Sequence, residues 1–247
     1  MGNALMTVCG IAFVFVMTTL GSATVFLLKK QISAAFSALI LGFSSGIMVA
    51  ASVWSMLIPA VQQGKGALSI IAPVCGTVLG GIFLQLLGVI LPKTEQSSRV
   101  KFFLAVTLHN IPEGLAVGFA FGVASTVGNG AAYLSALGLA VGIGLQNFPE
   151  GAAVSLPYMQ AGKSRVQSFV LGMTSGVVEP VFAALGYLLA SLLCGVQPWL
   201  LGFAAGTMLY VVAEYLIPQA VKEKTAYGVW GFLLGFLVMM TLDVALG

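Results

Sequence analysis

Eight long apolar runs constrain this chain more than any other feature of its sequence. A helix of about 20 apolar residues crosses the hydrocarbon core of a bilayer. The runs are continuously apolar rather than alternating, which argues against a strand barrel. They cover about residues 4–28, 33–61, 67–91, 100–123, 130–157, 165–194, 197–219 and 226–246.

The low charge content supports the same interpretation. Only 7% of the 247 residues are charged, against about 25% in a soluble domain. The sequence therefore predicts an all-α integral membrane protein with eight transmembrane helices, and the long second, fifth and sixth runs predict tilt or kinking.

The basic residues predict the orientation of these helices. Cytoplasmic loops of membrane proteins carry an excess of Lys and Arg. Only Lys65 follows an even-numbered run, whereas the loops after odd-numbered runs hold Lys29, Lys30, Lys93, Arg99, Lys101, Lys163, Arg165, Lys222 and Lys224. We therefore expect the odd-numbered loops in the cytoplasm and both termini on the outer side. The short loops and compact length favour the plasma membrane of a bacterium, which is its inner membrane.

The second and seventh runs resemble each other. LGFSSGIM at 41–48 matches LGFAAGTM at 201–208, and each stretch leads to a Leu-Ile-Pro, which ends at Pro59 or Pro218 and is one residue out of register. Runs five apart cross the membrane in opposite directions, so the pattern predicts an inverted repeat, a hallmark of transporters. We expect one polytopic domain with a 3+2+3 arrangement. Inverted repeats at about 4–91 and 165–246 would flank a central helix pair at about 100–157.

Two related polar motifs interrupt the fourth and fifth runs. HNIPEG spans residues 109–114 and QNFPEG spans residues 146–151. An ionisable side chain at hydrocarbon depth is costly, so it is a functional-site hypothesis by default. His109 and Glu113 are four apart, which places both on one helix face, and Gln146 and Glu150 have the same relation. Adjacent helices with such motifs predict one shared cation site.

Three more polar residues extend this site. Asn110 and Asn147 lie one position round from the paired faces, and Glu179 lies in the sixth run. No Lys or Arg lies deep in any run, so the missing countercharge is a bound metal ion, bound protons, or both. One imidazole, three carboxylates and three amide oxygens suit divalent ions such as Zn²⁺, Fe²⁺, Mn²⁺ or Cd²⁺ better than Cu(I). The predicted metal ligands are His109, Asn110, Glu113, Gln146, Asn147, Glu150 and Glu179.

The paired motif, eight runs and outward termini resemble the ZIP family of metal-ion transporters, and most closely its GufA-type branch. The resemblance covers essentially the whole chain. It implies import of divalent metal, most often zinc, through a two-metal centre in a homodimer that moves a helix bundle including spans four and five. It implies a first site of His109, Glu113, Gln146 and Glu150, and a second of Asn110, Asn147 and Glu179 with both motif glutamates bridging. The metal would be the substrate, and no prosthetic group is expected.

Two positions depart from the family pattern. The usual fifth-span histidine is Gln146, and a position that is often acidic is Asn147. Both changes remove charged or proton-sensitive ligands, so the metal preference and the filling of both sites stay open. Among the remaining acids, Glu214 is either structural or a relay or gating acid, whereas Asp243 is expected at the membrane interface.

Other classes of function fit the sequence less well. An intramembrane enzyme lacks support because no HExxH or GxSxG motif occurs and the chain has a single Asp. The basic residues form no concentrated patch, which argues against nucleic-acid binding. A proton-coupled transporter of a small organic solute remains the alternative, and it predicts that the glutamates carry protons and that metals do not bind.

Overall fold

The computed structural model describes residues 2–28, 33–63, 66–90, 95–193, 195–222 and 226–246. Within them, eight helices are long and apolar enough to cross a membrane, which confirms the predicted fold class. They are α1 Asn3–Leu27, α2 Ala34–Gln63, α3 Leu68–Ile90, α4 Glu95–Val127, α5 Gly130–Gln160, α6 Arg165–Leu188, α7 Gln197–Val221 and α8 Ala226–Leu246. A short helix, Ala190–Leu193, follows α6. Five of the lysines that predict the orientation, Lys29, Lys30, Lys65, Lys93 and Lys224, lie outside the described residues.

Two helix boundaries differ from the apolar pattern. The helix α4 begins at Glu95, so much of the stretch that reads as a polar loop before the fourth run is helical. Hydropathy marks the part of a helix that crosses the hydrocarbon core, and it carries no signal for turns that extend into water. The sixth run, expected to continue to about 194, breaks at Val177 and again at Leu189.

Side-chain caps determine where several helices begin. The Ser33 hydroxyl accepts a hydrogen bond from the Phe36 amide, and the Asn129 side chain accepts one from the Ala132 amide. Ser164 and Gln167 form a reciprocal capping box at the start of α6. Each cap satisfies an amide that has no carbonyl partner within the helix. These polar residues therefore fix the points at which the chain turns and re-enters the membrane.

The helices pack in four close pairs. One set pairs α1 with α5 and α4 with α6, and the other pairs α2 with α8 and α3 with α7. Small residues permit this proximity: a Cβ on Gly118 would collide with the Ala183 carbonyl, and one on Gly46 would collide with the Phe232 carbonyl. In the predicted inverted repeat, α1, α2 and α3 correspond to α6, α7 and α8. Each helix pair would then correspond to the other pair of its set, and the repeat itself stays a prediction.

The helices α2 and α7 each contain a wide π-helical segment. It covers Ser52–Leu57 in α2 and Val212–Leu216 in α7. The segments are six and five residues long, and this difference of one matches the one-residue shift between the two Leu-Ile-Pro triplets. π-Helical insertions frequently lie at functional sites. Both segments contribute to the apolar cluster that packs around the central helices.

Candidate metal centre

All seven predicted ligands are buried in the middle of the bundle. His109, Asn110 and Glu113 project from α4, and Gln146, Asn147 and Glu150 project from α5. Glu179 lies in the first turn after the break in α6. Each side chain is at most 1% exposed. Pro112 and Pro149 lie inside helices beside these residues, and a proline removes one backbone hydrogen bond and permits a local kink.

His109, Glu113 and Glu150 form the tightest group. One potential ligand atom from each lies within 4.8 Å of the others. The Nδ1 atom of His109 is 3.3 Å from the Ala105 carbonyl, and its Nε2 atom is 3.1 Å from Glu150 Oε2. A carbonyl can only accept, so the hydrogen of a neutral imidazole belongs on Nδ1. The Nε2 lone pair then faces a carboxylate oxygen, and two acceptors at this distance need a proton or a metal ion between them.

Gln146 of α5 joins this group by a hydrogen bond to Glu113 of α4. Its Nε2 atom donates a hydrogen bond to Glu113 Oε1. The amide oxygen of Gln146 and the second oxygen of Glu113 have no hydrogen-bond partner among the described residues. The amide therefore orients the carboxylate and leaves two oxygen acceptors beside the imidazole.

A second polar group surrounds Glu179. The Asn110 side-chain nitrogen donates to the Ser175 carbonyl at 3.1 Å and to Glu179 Oε1 at 3.0 Å. The Thr18 hydroxyl of α1 donates to the same Glu179 oxygen at 2.9 Å. Three helices thus hold one carboxylate.

The site has more acceptors than donors. Each of its three carboxylates has one oxygen with a polar partner and one without any, and its amide oxygens are also unpartnered. Among the described residues these atoms are Glu113 Oε2, Glu150 Oε1, Glu179 Oε2, Asn110 Oδ1, Gln146 Oε1 and Asn147 Oδ1. The Asn147 nitrogen has no partner either. A buried polar atom without a partner costs about 1–3 kcal/mol, and a divalent cation would satisfy several of these oxygens at once.

The two remaining acids within the spans lie apart from this centre. Glu214 is exposed on the π-helical segment of α7. Asp243 is half-buried near the end of α8, and its Oδ1 atom accepts a hydrogen bond of 2.8 Å from Ser55; its position at the membrane interface stays a prediction. That contact joins residues 188 positions apart, so no local sequence pattern predicts it.

A cavity of about 620 Å³ opens at the end of the bundle that carries Asp243. Its polar lining includes Ser55, Gln62, Gln63, Ser135, Gln197 and Asp243. Its wall also includes Gly142, which lies one helical turn, or about 6 Å, before Gln146 on α5. The cavity thus reaches the level next to the metal centre.

Apolar side chains pack on the opposite side of the centre. Phe102 of α4 stacks on Tyr215 of α7 with ring centroids 4.5 Å apart. Val106 and Val154, which lie on the same side, are at most 1% exposed, and they belong to one cluster with Phe102. The centre therefore faces a polar cavity at one end and a packed apolar layer at the other.

Thr18, whose hydroxyl donates to the predicted ligand Glu179, was missed by the sequence analysis. The first run contains no Asp, Glu, Lys, Arg or His between Asn3 and Leu27, so nothing in its composition points to the site. The available signal is modest: Thr18 and Ser22 are four apart on α1, and both are buried. Hydroxyl residues on one face are frequent at contacts between membrane helices, so this pattern alone does not distinguish a site from packing.

Comparison with known proteins gives matches to a single kind of transporter. The family model described as "ZIP Zinc transporter" matches residues 92–243. The chain is 35% identical to the zinc transporter GufA of Myxococcus xanthus, over 81% of this chain and 85% of that protein. It is 31% identical to the human zinc transporter ZIP11, over 96% of both chains. It is 32% identical to the zinc transporter ZIPB of Bordetella bronchiseptica, over 97% of this chain and 81% of that protein.

Proposed function

This chain belongs to the ZIP family, a family of transporters rather than enzymes, and we propose that it carries divalent metal ions, zinc first among them, into the cytoplasm. One observation carries the proposal. Among the described residues, six buried oxygen acceptors without partners belong to a site that also holds an imidazole, and the sequence places no Lys or Arg at that depth. A divalent cation supplies the countercharge that such a site lacks. The proteins with which the chain aligns are named as zinc transporters.

We propose that the centre holds two ions. The first would be bound by His109, Glu113, Gln146 and Glu150, and the second by Asn110, Asn147 and Glu179 with the two motif glutamates bridging. The proposal is supported by the division of polar contacts into a group around His109 and a group around Glu179. It is also supported by the oxygen on each carboxylate that has no partner among the described residues, since one carboxylate oxygen can bind two ions.

The ion would enter through the cavity that contains Asp243. Under the predicted orientation this cavity opens to the outside, because it lies where α2 ends and α5 begins. A carboxylate in the wall of a cavity attracts cations and raises their local concentration. The packed layer of Phe102 and Tyr215 would then close the cytoplasmic side, as expected for an outward-facing state.

Release would require a change of access. The helices α1, α4, α5 and α6 pack chiefly on one another, as do α2, α3, α7 and α8. We propose that the first group, which holds all the ligands, moves against the second during transport. We also propose a homodimer in the plasma membrane, as the family resemblance implies.

Uptake of zinc into liposomes that contain purified protein tests this function. Wild type would be compared with Glu113→Gln/Glu150→Gln, which preserves side-chain shape and removes two charges. Saturable uptake that the double variant loses supports the proposal, and competition by Mn²⁺, Fe²⁺ and Cd²⁺ ranks the other substrates. Folded wild-type protein that takes up none of these ions would refute it and favour proton-coupled transport of an organic solute.

A further inference from the structure

We propose that Thr18 is a positioning residue for the second metal ion, although it is not itself a ligand. The inference rests on the proposed two-metal centre. Thr18 lies on α1, is 1% exposed, and donates to Glu179 Oε1 at 2.9 Å. Its hydroxyl is 3.4 Å from the Val14 carbonyl, so its single hydrogen serves the carboxylate by the shorter contact.

The two donors on Glu179 act on the same oxygen. Asn110 also donates to Oε1, at 3.0 Å, whereas Oε2 has no partner among the described residues. Two hydrogen bonds occupy the two in-plane lone pairs of Oε1. Glu179 can therefore offer a metal only Oε2, and the carboxylate plane cannot rotate without breaking at least one bond. Thr18 thus determines which atom of Glu179 is available.

The same contact fixes the other ligand at this position. The Asn110 nitrogen is shared between Glu179 and the Ser175 carbonyl, which leaves Asn110 Oδ1 as the atom without a partner. If Glu179 turned, one of these bonds would be lost and the amide could reorient. A hydroxyl on α1 therefore aligns two oxygen ligands on α4 and α6 before an ion arrives.

Thr18 packs closely against the segment that carries Glu179. A Cβ added to Gly176 would lie 2.8 Å from Thr18 Cγ2 and 3.0 Å from Glu179 Oε1. The side chain thus sits directly against the break in α6 that carries Glu179. Valine has the same shape as threonine without the donor, so Thr18→Val removes the hydrogen bond and preserves the packing. Thr18→Ser keeps the donor and removes a methyl group.

Metal binding to purified protein in detergent, measured by calorimetry with Zn²⁺ and with Cd²⁺, tests the inference. We expect Thr18→Val to weaken the second binding event by about 10- to 100-fold, the usual cost of losing a partner behind a metal ligand. The first event should change much less. We expect Thr18→Ser to restore the second event, because the donor returns.

Thr19→Val is the matched control. Thr19 is the next residue of α1, and its hydroxyl donates only along the helix, to the Phe15 carbonyl at 2.9 Å. This variant should bind both ions as wild type does. Equal second-site affinity in Thr18→Val and wild type would overturn the inference, and so would a Thr18→Ser variant as weak as Thr18→Val, which would assign the effect to packing. Absence of any binding or uptake by wild type would instead refute the proposed function.

Discussion

Replacing Glu150 by glutamine should make the metal-free protein more stable while removing its response to metal. Glu150 is 1% exposed and faces His109 through one oxygen, and its other oxygen has no partner among the described residues. A ligand atom of Glu150 lies within 4.8 Å of one from Glu113. Glutamine keeps the size and shape of the side chain but removes the charge. The variant therefore relieves repulsion that the wild type tolerates in order to bind a cation.

The separation of the two carboxylates sets the expected magnitude. Two unit charges at the 4.8 Å limit of this separation repel by about 3.5 kcal/mol at an effective dielectric constant of about 20. In a chain of this size, 1 kcal/mol shifts the melting temperature by about 2–4 °C. Full ionisation of both carboxylates sets the upper end of the effect, so the apparent Tm of the metal-free variant should rise by up to roughly 7–14 °C. Wild type should instead gain about 2.7 kcal/mol from zinc at 100 times its Kd, and the variant should gain almost none.

Thermal unfolding in detergent, at one scan rate and with or without zinc, measures both effects. Glu214→Gln is the matched control, since it makes the same chemical change at an exposed position in another span. Glu150→Gln should also lose more transport than Glu214→Gln. A metal-free Glu150→Gln protein that melts below wild type, or one that zinc still stabilises fully, would refute the reasoning. Equal transport losses in the two variants would mean that the centre is misassigned.

Three further predictions test other parts of the molecule. Metal affinity should fall between about pH 7 and about pH 5.5, because protons compete with the ion for His109 and the carboxylates; equal affinities by calorimetry would contradict this coupling. Gly118→Leu should lower the apparent Tm by several degrees because its Cβ would collide with the Ala183 backbone, whereas a Cβ at Gly130 meets nothing within 4 Å, so Gly130→Leu is the control; similar melting of both variants would refute the packing argument. Asp243→Asn should raise the KM for uptake by about 2- to 10-fold with little change in maximal rate, because it removes the cavity carboxylate; an unchanged KM would exclude this entry route.

The spans could be predicted because their signal is local. Each run either is or is not apolar over the thickness of a bilayer, and no distant residue changes that. The two kinds of error follow from the same reasoning. The start of α4 at Glu95 lies beyond the apolar run, where hydropathy is silent. The break at Val177 precedes Glu179-Pro180, and a proline signals a kink without specifying where the helix resumes.

The membership of the centre could be predicted in part. The four-residue spacing of His109 and Glu113 is enough to place them on one face of α4, and the structure buries them together. The pairing of individual atoms could not be predicted. Thr18 and Glu179 are 161 residues apart, and the first run has no charged residue that would connect it with the site.

The sequence by itself determined the class of molecule, the number of spans and the residues that must avoid lipid. The free-energy cost of placing an apolar group in water or a charged group in the hydrocarbon core is a property of each segment, so it can be evaluated one segment at a time. Only the tertiary structure decided which oxygen of each carboxylate has no partner among the described residues, that Thr18 donates to Glu179, and that Asp243 lines a cavity. These features depend on which helices pack together, and close packing brings residues into contact regardless of their separation along the chain.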